Sequence, residues 1–274
     1  MEETDNHSID AEMLGTSLVS LAKVIRQSDK ILNGENSEVK VEVKAHKEGS
    51  FTVDLLTWYQ AGGVDVLNTL GFATAGFAAA SGTAFGIIRQ MRAKKIKAKI
   101  VQGNASQLIL DDESVVECPT SIANLVSDQF VRQELENVIS APIMNKEGAK
   151  FVIKGENSEV LDTLESTEAL SFRSLPRKTL EEIEESIEPM TITFSQVNFD
   201  GPTGWRCVLP NGETVGVRMR HEAFRNRINQ GHETFAKGEP YAVRMLEKTV
   251  TKPNQLPKTS YYIEEVIRQV KPNK

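Results

Sequence analysis

Four histidines and two cysteines are the residues best suited to chemistry in this chain of 274 residues. His7, His46, His221 and His232 have no Cys, Asp or Glu at a recognised metal spacing. A tetrahedral zinc site needs about four ligands, which Cys118 and Cys207 do not supply. His221-Glu222 and His232-Glu233 are His–Glu neighbours of the kind that can share acid and base work. No nucleophile stands beside them in sequence, so the plainer reading is two surface pairs. Cys118, just before Pro119, and Cys207, between Arg206 and Val208, read as small core residues rather than activated thiolates. Gly62-Gly63 runs into Val-Asp-Val, and Gly82-Thr83-Ala84-Phe85-Gly86 lacks a third glycine and a preceding strand, so neither is a phosphate loop. The expectation is a non-enzymatic protein with no catalytic residue, no metal and no cofactor.

Binding is better represented than reaction. Leu70 to Ile88 is a run of nineteen uncharged residues, and the eleven that follow carry six positive charges: Arg89, Arg92, Lys94, Lys95, Lys97 and Lys99. Thr74, Ala78, Gly82 and Gly86 recur every four residues. On a helix this makes a groove of small side chains that lets a second helix approach closely. The run is also close to the length of a membrane span, and its basic end would then lie on the cytoplasmic side. Its many Ala, Gly, Ser and Thr residues weaken any drive to insert. The second binding candidate is C-terminal. Arg218, Arg220, Arg225 and Arg227 cluster within ten residues, near Trp205, Phe224, Phe235 and Tyr241. A basic groove with stacking aromatics holds single-stranded nucleic acid. Against this, Trp205 and the phenylalanines are the obvious core of a small domain, and the arginines can pair with an acidic segment upstream.

The elements that must position these residues follow from periodicity. Met13, Leu14, Leu18, Leu21, Ala22 and Ile25 mark a helix over Asp10–Leu32, capped by Ser8 or Asp10 and closed by Gly34. Val39, Val41 and Val43 alternate with charged residues as in a half-buried strand. Lys47-Glu48-Gly49-Ser50 turns into a second strand from Phe51. Gln107–Leu110 and Ser114–Glu117 form another hairpin around an acidic tip. A helix then runs from Pro119 or Thr120 to Ile139, with Phe130 on its apolar side, and Phe151-Val152-Ile153 is a further strand. Residues 155–189 hold a run of glutamates and read as an acidic linker with a short helix at Leu180–Ile187. From residue 190 onward the pattern is strands at 191–199, 205–209, 214–218, 241–250 and 261–270, with turns at Asp200-Gly201-Pro202 and Pro210-Asn211-Gly212. One short helix covers Glu222–Gln230. Five strands and a helix in so short a stretch predict a small antiparallel barrel.

The expected fold is therefore α+β. An N-terminal helix and hairpin domain (1–154) contains the apolar helix or helical hairpin at 70–88, the acidic linker spans 155–189, and a small β-barrel occupies 190–274. Composition fits a globular protein, with 39% hydrophobic and 26% charged residues and a net charge of −6. The charge is uneven: Met190–Lys274 holds thirteen Lys/Arg against eight Asp/Glu. The acidic, polar start excludes a secretory signal peptide, and two cysteines in different domains fit a reducing compartment.

The order of motifs also resembles a widespread, uncharacterised two-domain bacterial protein family. The resemblance rests on Gly49-Ser50-Phe51, the apolar-to-basic transition at Ile87-Ile88-Arg89, and Ala141-Pro142-Ile143. It continues through Val197-Asn198-Phe199, Trp205-Arg206, His221-Glu222-Ala223-Phe224, Phe235-Ala236-Lys237-Gly238-Glu239 and Tyr261–Val266. That family often has an acidic residue where His221 stands. The resemblance implies a bacterial origin and the two-domain split, and carries no activity. The leading expectation is a bacterial or prophage assembly protein, a homo-oligomer or partner-binding module that self-associates through Thr74, Ala78, Gly82 and Gly86. It would be cytoplasmic. A membrane-inserting effector using Leu70–Ile88, placed at the inner membrane, is the first alternative. A nucleic-acid-binding barrel is the second.

Overall fold

The computed structural model describes residues 10–45, 53–58, 64–73, 82–144, 146, 148–154, 159–176, 180–231, 238–253 and 255–270. The chain forms two compact units, Met1–Lys99 with Asn104–Leu180, and Glu181–Lys274 with Ile100–Gly103. The fold is mixed α+β, with N-terminal helices and hairpins and a closed C-terminal barrel.

In the first unit, helix α1 spans Ala11–Asn33. Asp10 caps it, its Oδ1 accepting from the Met13 N–H at 2.9 Å, and Gly34 closes it at a φ of 97°. Leu21 and Ile25 are buried as the periodicity requires, and the buried face continues through Val24, Ser28 and Asp29. Strands β1 (Lys40–Ala45) and β2 (Val53–Trp58) pair antiparallel, Lys40 opposite Trp58. Strands β3 (Ile96–Gln102), β4 (Ala105–Leu110) and β5 (Val115–Pro119) follow, with β4 and β5 antiparallel.

The apolar run is not one helix. Helix α2 (Val66–Leu70) ends at Gly71, which has a φ of 110°. A Cβ there would also stand 3.0 Å from that of Phe85, so only glycine suits this turn. Helix α3 (Ala84–Gln90) starts anew after Thr83, whose extended backbone lets its Oγ1 accept from the Gly86 N–H at 3.1 Å. Leu70, Phe85, Ile87 and Ile88 are buried in the unit's core, with Phe85 edge-on to Phe72 and Phe172 at 4.8 and 5.1 Å. Among the described residues no helix is long and apolar enough to cross a membrane.

The single helix expected over 120–139 is broken by Asp128. Its carboxylate accepts from the Val131 N–H at 2.8 Å, ending α4 (Thr120–Ser127) and capping α5 (Gln129–Leu135). A π-helical turn, Glu136–Ser140, and the short α6 (Ala141–Ile143) complete the segment. The break changes which face is buried. Phe130 is exposed, while Arg132 and Glu134 are buried. Arg132 Nη2 donates to the carbonyls of Ser171 and Arg173, both at 2.7 Å. Burial pulls its pKa down to about 10, against the pull of Glu136.

The segment expected as a linker is built into both units. Strand β7 (Val160–Glu165) pairs with β6 (Lys150–Lys154), and the helical turns α7 (Ser166–Ala169) and Leu170–Phe172 place Leu164, Ala169 and Phe172 in the first core. The expected acidic helix at Leu180–Ile187 is instead the start of strand β8 (Glu181–Gln196). Pro189 lacks the N–H that a continuing helix needs, and β8 pairs with β11 (Pro240–Thr251) along nearly its whole length. Glu185 accepts from Lys248 at 2.8 Å, and Glu181 lies 3.8 Å from Lys252.

The barrel has strands β8, β9 (Trp205–Val208), β10 (Thr214–Met219), β11 and β12 (Lys258–Gln269), with helix α8 (Glu222–Asn229) between β10 and β11. Around the barrel the order is β8-β9-β10-β12-β11, and β11 closes back on β8. All neighbours are antiparallel except β10 and β12, which run parallel. The core holds Ile192, Phe194, Trp205, Cys207, Val217, Phe224, Tyr241 and Ile263 among others. Phe194 meets Trp205 and Tyr241 edge-on at 5.5 and 5.2 Å.

Candidate functional site

Alternation along the barrel strands places one row of side chains outward for every row packed inward. Trp205 and Cys207 on β9, and Val215, Val217 and Met219 on β10, are buried. The residues between them, Arg206, Gly216 and Arg218, are exposed. Register sets them side by side: Arg206 faces Gly216 across β9–β10, and Arg218 stands beside Tyr262 across β10–β12. Tyr261 packs against the core and Tyr262 does not, as the same alternation demands.

These residues line an open groove of about 480 Å³. Gly216 is its floor, because a Cβ built there meets nothing within 4 Å. The β8–β9 loop makes one rim. It is held by Asn198, whose Nδ2 donates to the Thr203 carbonyl at 2.8 Å while its Oδ1 accepts from the Asp200 N–H at 3.0 Å. Phe199 on this loop is exposed. A second depression of about 450 Å³ contains Arg218, Arg220, Glu222 and Arg225.

Charge in the barrel unit is segregated rather than in excess. Glu181–Lys274 carries thirteen Lys/Arg and thirteen Asp/Glu. Five of the acids lie in the first half of β8, where Glu185 meets Lys248 on β11 and Glu181 meets Lys252 just past its end. Outside the backbone pairing of their strands, Arg206 and Arg218 make no hydrogen bond or ion pair with any other described residue. Arg220 is anchored by Glu264 at 2.7 Å and lies over the Tyr262 ring, 4.0 Å from its centroid. Arg225 is 3.8 Å from Glu222, and Arg227 lies over Phe224 at 5.5 Å. Tyr261 is pushed above the usual phenol range, by burial first and then by Glu247 and Glu213.

The other expected sites fall out differently. Of the small-residue stripe, Thr74 and Ala78 lie outside the described residues. Gly82 is exposed and precedes α3, while Gly86 is buried within it. The two glycines are therefore not one turn apart on a helical face. The basic flank is largely spent inside its own unit. Arg89 holds Asp162 with two hydrogen bonds of 2.8 and 3.1 Å. Lys94 pairs with Asp112, Lys97 with Glu113, and Lys99 donates to Asn124 Oδ1 at 3.0 Å. Lys94, with help from Ser114, holds Asp112 down to about 2. Arg92 and Lys95 are exposed.

Burial pushes the thiols of Cys118 and Cys207 up to about 11, the opposite of an activated nucleophile. His221 Nδ1 accepts from the Val266 N–H at 2.9 Å, so its proton sits on Nε2. Burial, then the charge of Arg227, lowers its pKa against the pull of Glu265. It ties α8 to β12 as a neutral acceptor rather than pairing with Glu222 as an acid/base couple. His7, His46 and His232 lie outside the described residues, as does Phe235. Among the described residues no group of three His, Cys, Asp or Glu side chains is placed to hold a metal.

Two groove residues escape the arginine cluster read from sequence. Arg206 is separated from it by the β9–β10 turn, and Tyr262 lies on a strand distant in sequence. The signal that finds them is period two: both stand next to a core residue on a strand. Of the aromatics singled out from sequence, Trp205 and Phe224 are core as their plainer reading has it, and Tyr241 joins them. No protein-family model, no curated protein and no solved structure matches the chain.

Proposed function

We propose that the C-terminal barrel is a binding module for single-stranded nucleic acid, laid across the outer face of β9, β10 and β12. The observation that carries this reading is the pair Arg206 and Arg218. They flank an open groove, they are free of ion pairs with described residues, and Tyr262 stands beside one of them. Two solvated arginines on rigid strands suit phosphates, because each bound phosphate releases counterions from the strand. An aromatic ring beside them suits a base. The groove is broad, shallow and polar, which suits an extended chain better than a buried small molecule.

Topology supports the reading by analogy alone. A five-stranded Greek-key barrel with a helix between its third and fourth strands has the connectivity of the oligonucleotide- and oligosaccharide-binding fold. That fold binds ligand on its second and third strands and on the loops after the first and fourth. Here those strands are β9 and β10, and residues 197–204 form the first of those loops. Self-association through the 70–88 run has no comparable support: two of its four stripe residues are undescribed, and Leu70, Phe85, Ile87 and Ile88 are used by the core.

The test is fluorescence anisotropy of the full chain with a labelled oligothymidylate of about 20 nucleotides. Binding that weakens with salt, with a slope near −0.7 per phosphate contacted, is expected. Arg206→Glu with Arg218→Glu should weaken it by at least about tenfold and flatten the slope. Gly216→Val should also weaken it by filling the floor, and leave unfolding unchanged, since the site is open and branched residues suit strands. Absence of binding by the parent protein at low salt overturns the proposal.

A further inference from the structure

The groove reading leaves open whether the ligand is recognised as a line of phosphates or through its bases. We propose that Tyr262 is a base-stacking platform and that Arg220, anchored by Glu264, is the residue that positions it. This rests on the nucleic-acid reading of the groove and names the part of the ligand that the groove recognises.

Three observations converge on Tyr262. It lines the main groove, and Arg220 does not; Arg220 lines the neighbouring depression. The guanidinium of Arg220 covers the ring at 4.0 Å from its centroid. One ring face is thus taken, and the ring is backed from the side of the depression. Glu264 then fixes Arg220 at 2.7 Å, so the backing group is itself held. A planar guanidinium stacked on an aromatic ring is a favourable contact that restrains the ring's rotation. The side facing the groove is left for a second planar group, and a nucleobase fits that description. Arg218 stands directly beside Tyr262 in register, so a base on the ring and its phosphate at Arg218 fall on adjacent strands.

The roles of the two arginines therefore separate. Arg218 has no ion pair among the described residues and acts on phosphate. Arg220 is already neutralised by Glu264 and acts through the ring. Removing Arg218 should reduce the salt slope, whereas removing Arg220 should leave the slope and reduce the preference for bases.

The experiment compares two labelled probes of equal length on the full chain, an oligothymidylate and an abasic deoxyribose-phosphate oligomer. The parent protein should prefer the oligothymidylate by about tenfold, the scale of one stacked base. Tyr262→Leu should abolish that preference, and Tyr262→Phe should retain it. Arg220→Met should reduce the preference with the salt slope unchanged. Arg218→Ala should weaken both probes alike and flatten the slope by about 0.7. Equal affinity of the parent protein for both probes, or an unchanged preference in Tyr262→Leu, overturns the platform while leaving the groove reading intact. Failure to bind either probe overturns the groove reading itself. An Arg220→Met protein that loses slope as Arg218→Ala does refutes the positioning role. If Tyr262→Leu proves poorly folded, the parent protein's comparison of the two probes and the Arg220→Met preference still decide.

Discussion

Arg132 in the first unit and Arg218 in the barrel are both arginines on short regular elements, and they have opposite surroundings. Arg132 is 3% exposed and donates to the carbonyls of Ser171 and Arg173. Arg218 stands out from β10 and holds no described residue. The same contrast runs through their neighbourhoods. In the first unit Arg89 is clamped to Asp162, and Lys94 and Lys97 meet the Asp112–Glu113 tip. In the barrel the acids collect on β8 against Lys248 and Lys252, which leaves the β9–β10 face its arginines. A basic residue whose partners lie within its own fold is part of the architecture. One that the fold leaves solvated beside a groove is available to a ligand. Charge runs read from sequence do not separate the two kinds, because partners far apart in the chain decide.

The contrast can be broken by mutation. The largest effect is expected at Arg132: Arg132→Met strips buried carbonyls of charged donors and should cost about 3 kcal/mol in urea unfolding of the first unit. A cost under about 0.5 kcal/mol would mean that this arginine is as dispensable as a surface one. Next is Asp162→Asn, which weakens a two-bonded, largely buried clamp on Arg89 and should cost about 1–2 kcal/mol.

A smaller change is expected from His221. Its folded pKa lies below the ordinary value of 6.5, so the neutral form is favoured by folding. Stability is full above that value. It falls as pH drops through it, because the unfolded chain takes up the proton first. The barrel's denaturation midpoint should therefore decline between about pH 7.5 and pH 5. His221→Asn, which can still accept from Val266, should flatten that decline. The smallest effects on stability are expected at Arg206 and Arg218. Arg206→Ala and Arg218→Ala should each change barrel stability by less than about 0.5 kcal/mol while weakening oligothymidylate binding. A large loss of stability would place these arginines with Arg132 as structural.

Much of the barrel is legible in the chain. Asn211-Gly212 between apolar runs, the short helix from Glu222, and the alternation over Trp205–Val208 and Thr214–Met219 are local signals, and they fold locally. The first strand is not legible. A run such as Glu181–Ile187 has helix-forming composition, and only its backbone pairing with β11 makes it a strand. Asp128 misled in the other direction: one carboxylate accepting from Val131 ended a helix that the apolar periodicity carried through. The apolar run at 70–88 was legible as a surface for packing, but its partners were not. The burial of Leu70, Phe85, Ile87 and Ile88 depends on α1, α4 and the Leu170–Phe172 turn, far away in sequence.

Sequence was therefore enough for the α+β class, the capping of α1 by Asp10, the C-terminal barrel, and the arginine cluster from Arg218 to Arg227. These follow from turn chemistry, capping and period-two patterning, which act over a few residues. The paired strands were needed to show which arginines lack a partner among the described residues, that Trp205 is core while Tyr262 stands beside Arg218, and that Glu185 and Glu181 meet Lys248 and Lys252. The physical reason is that register across a sheet, and the meeting of charges from distant segments, exist only once the strands have paired.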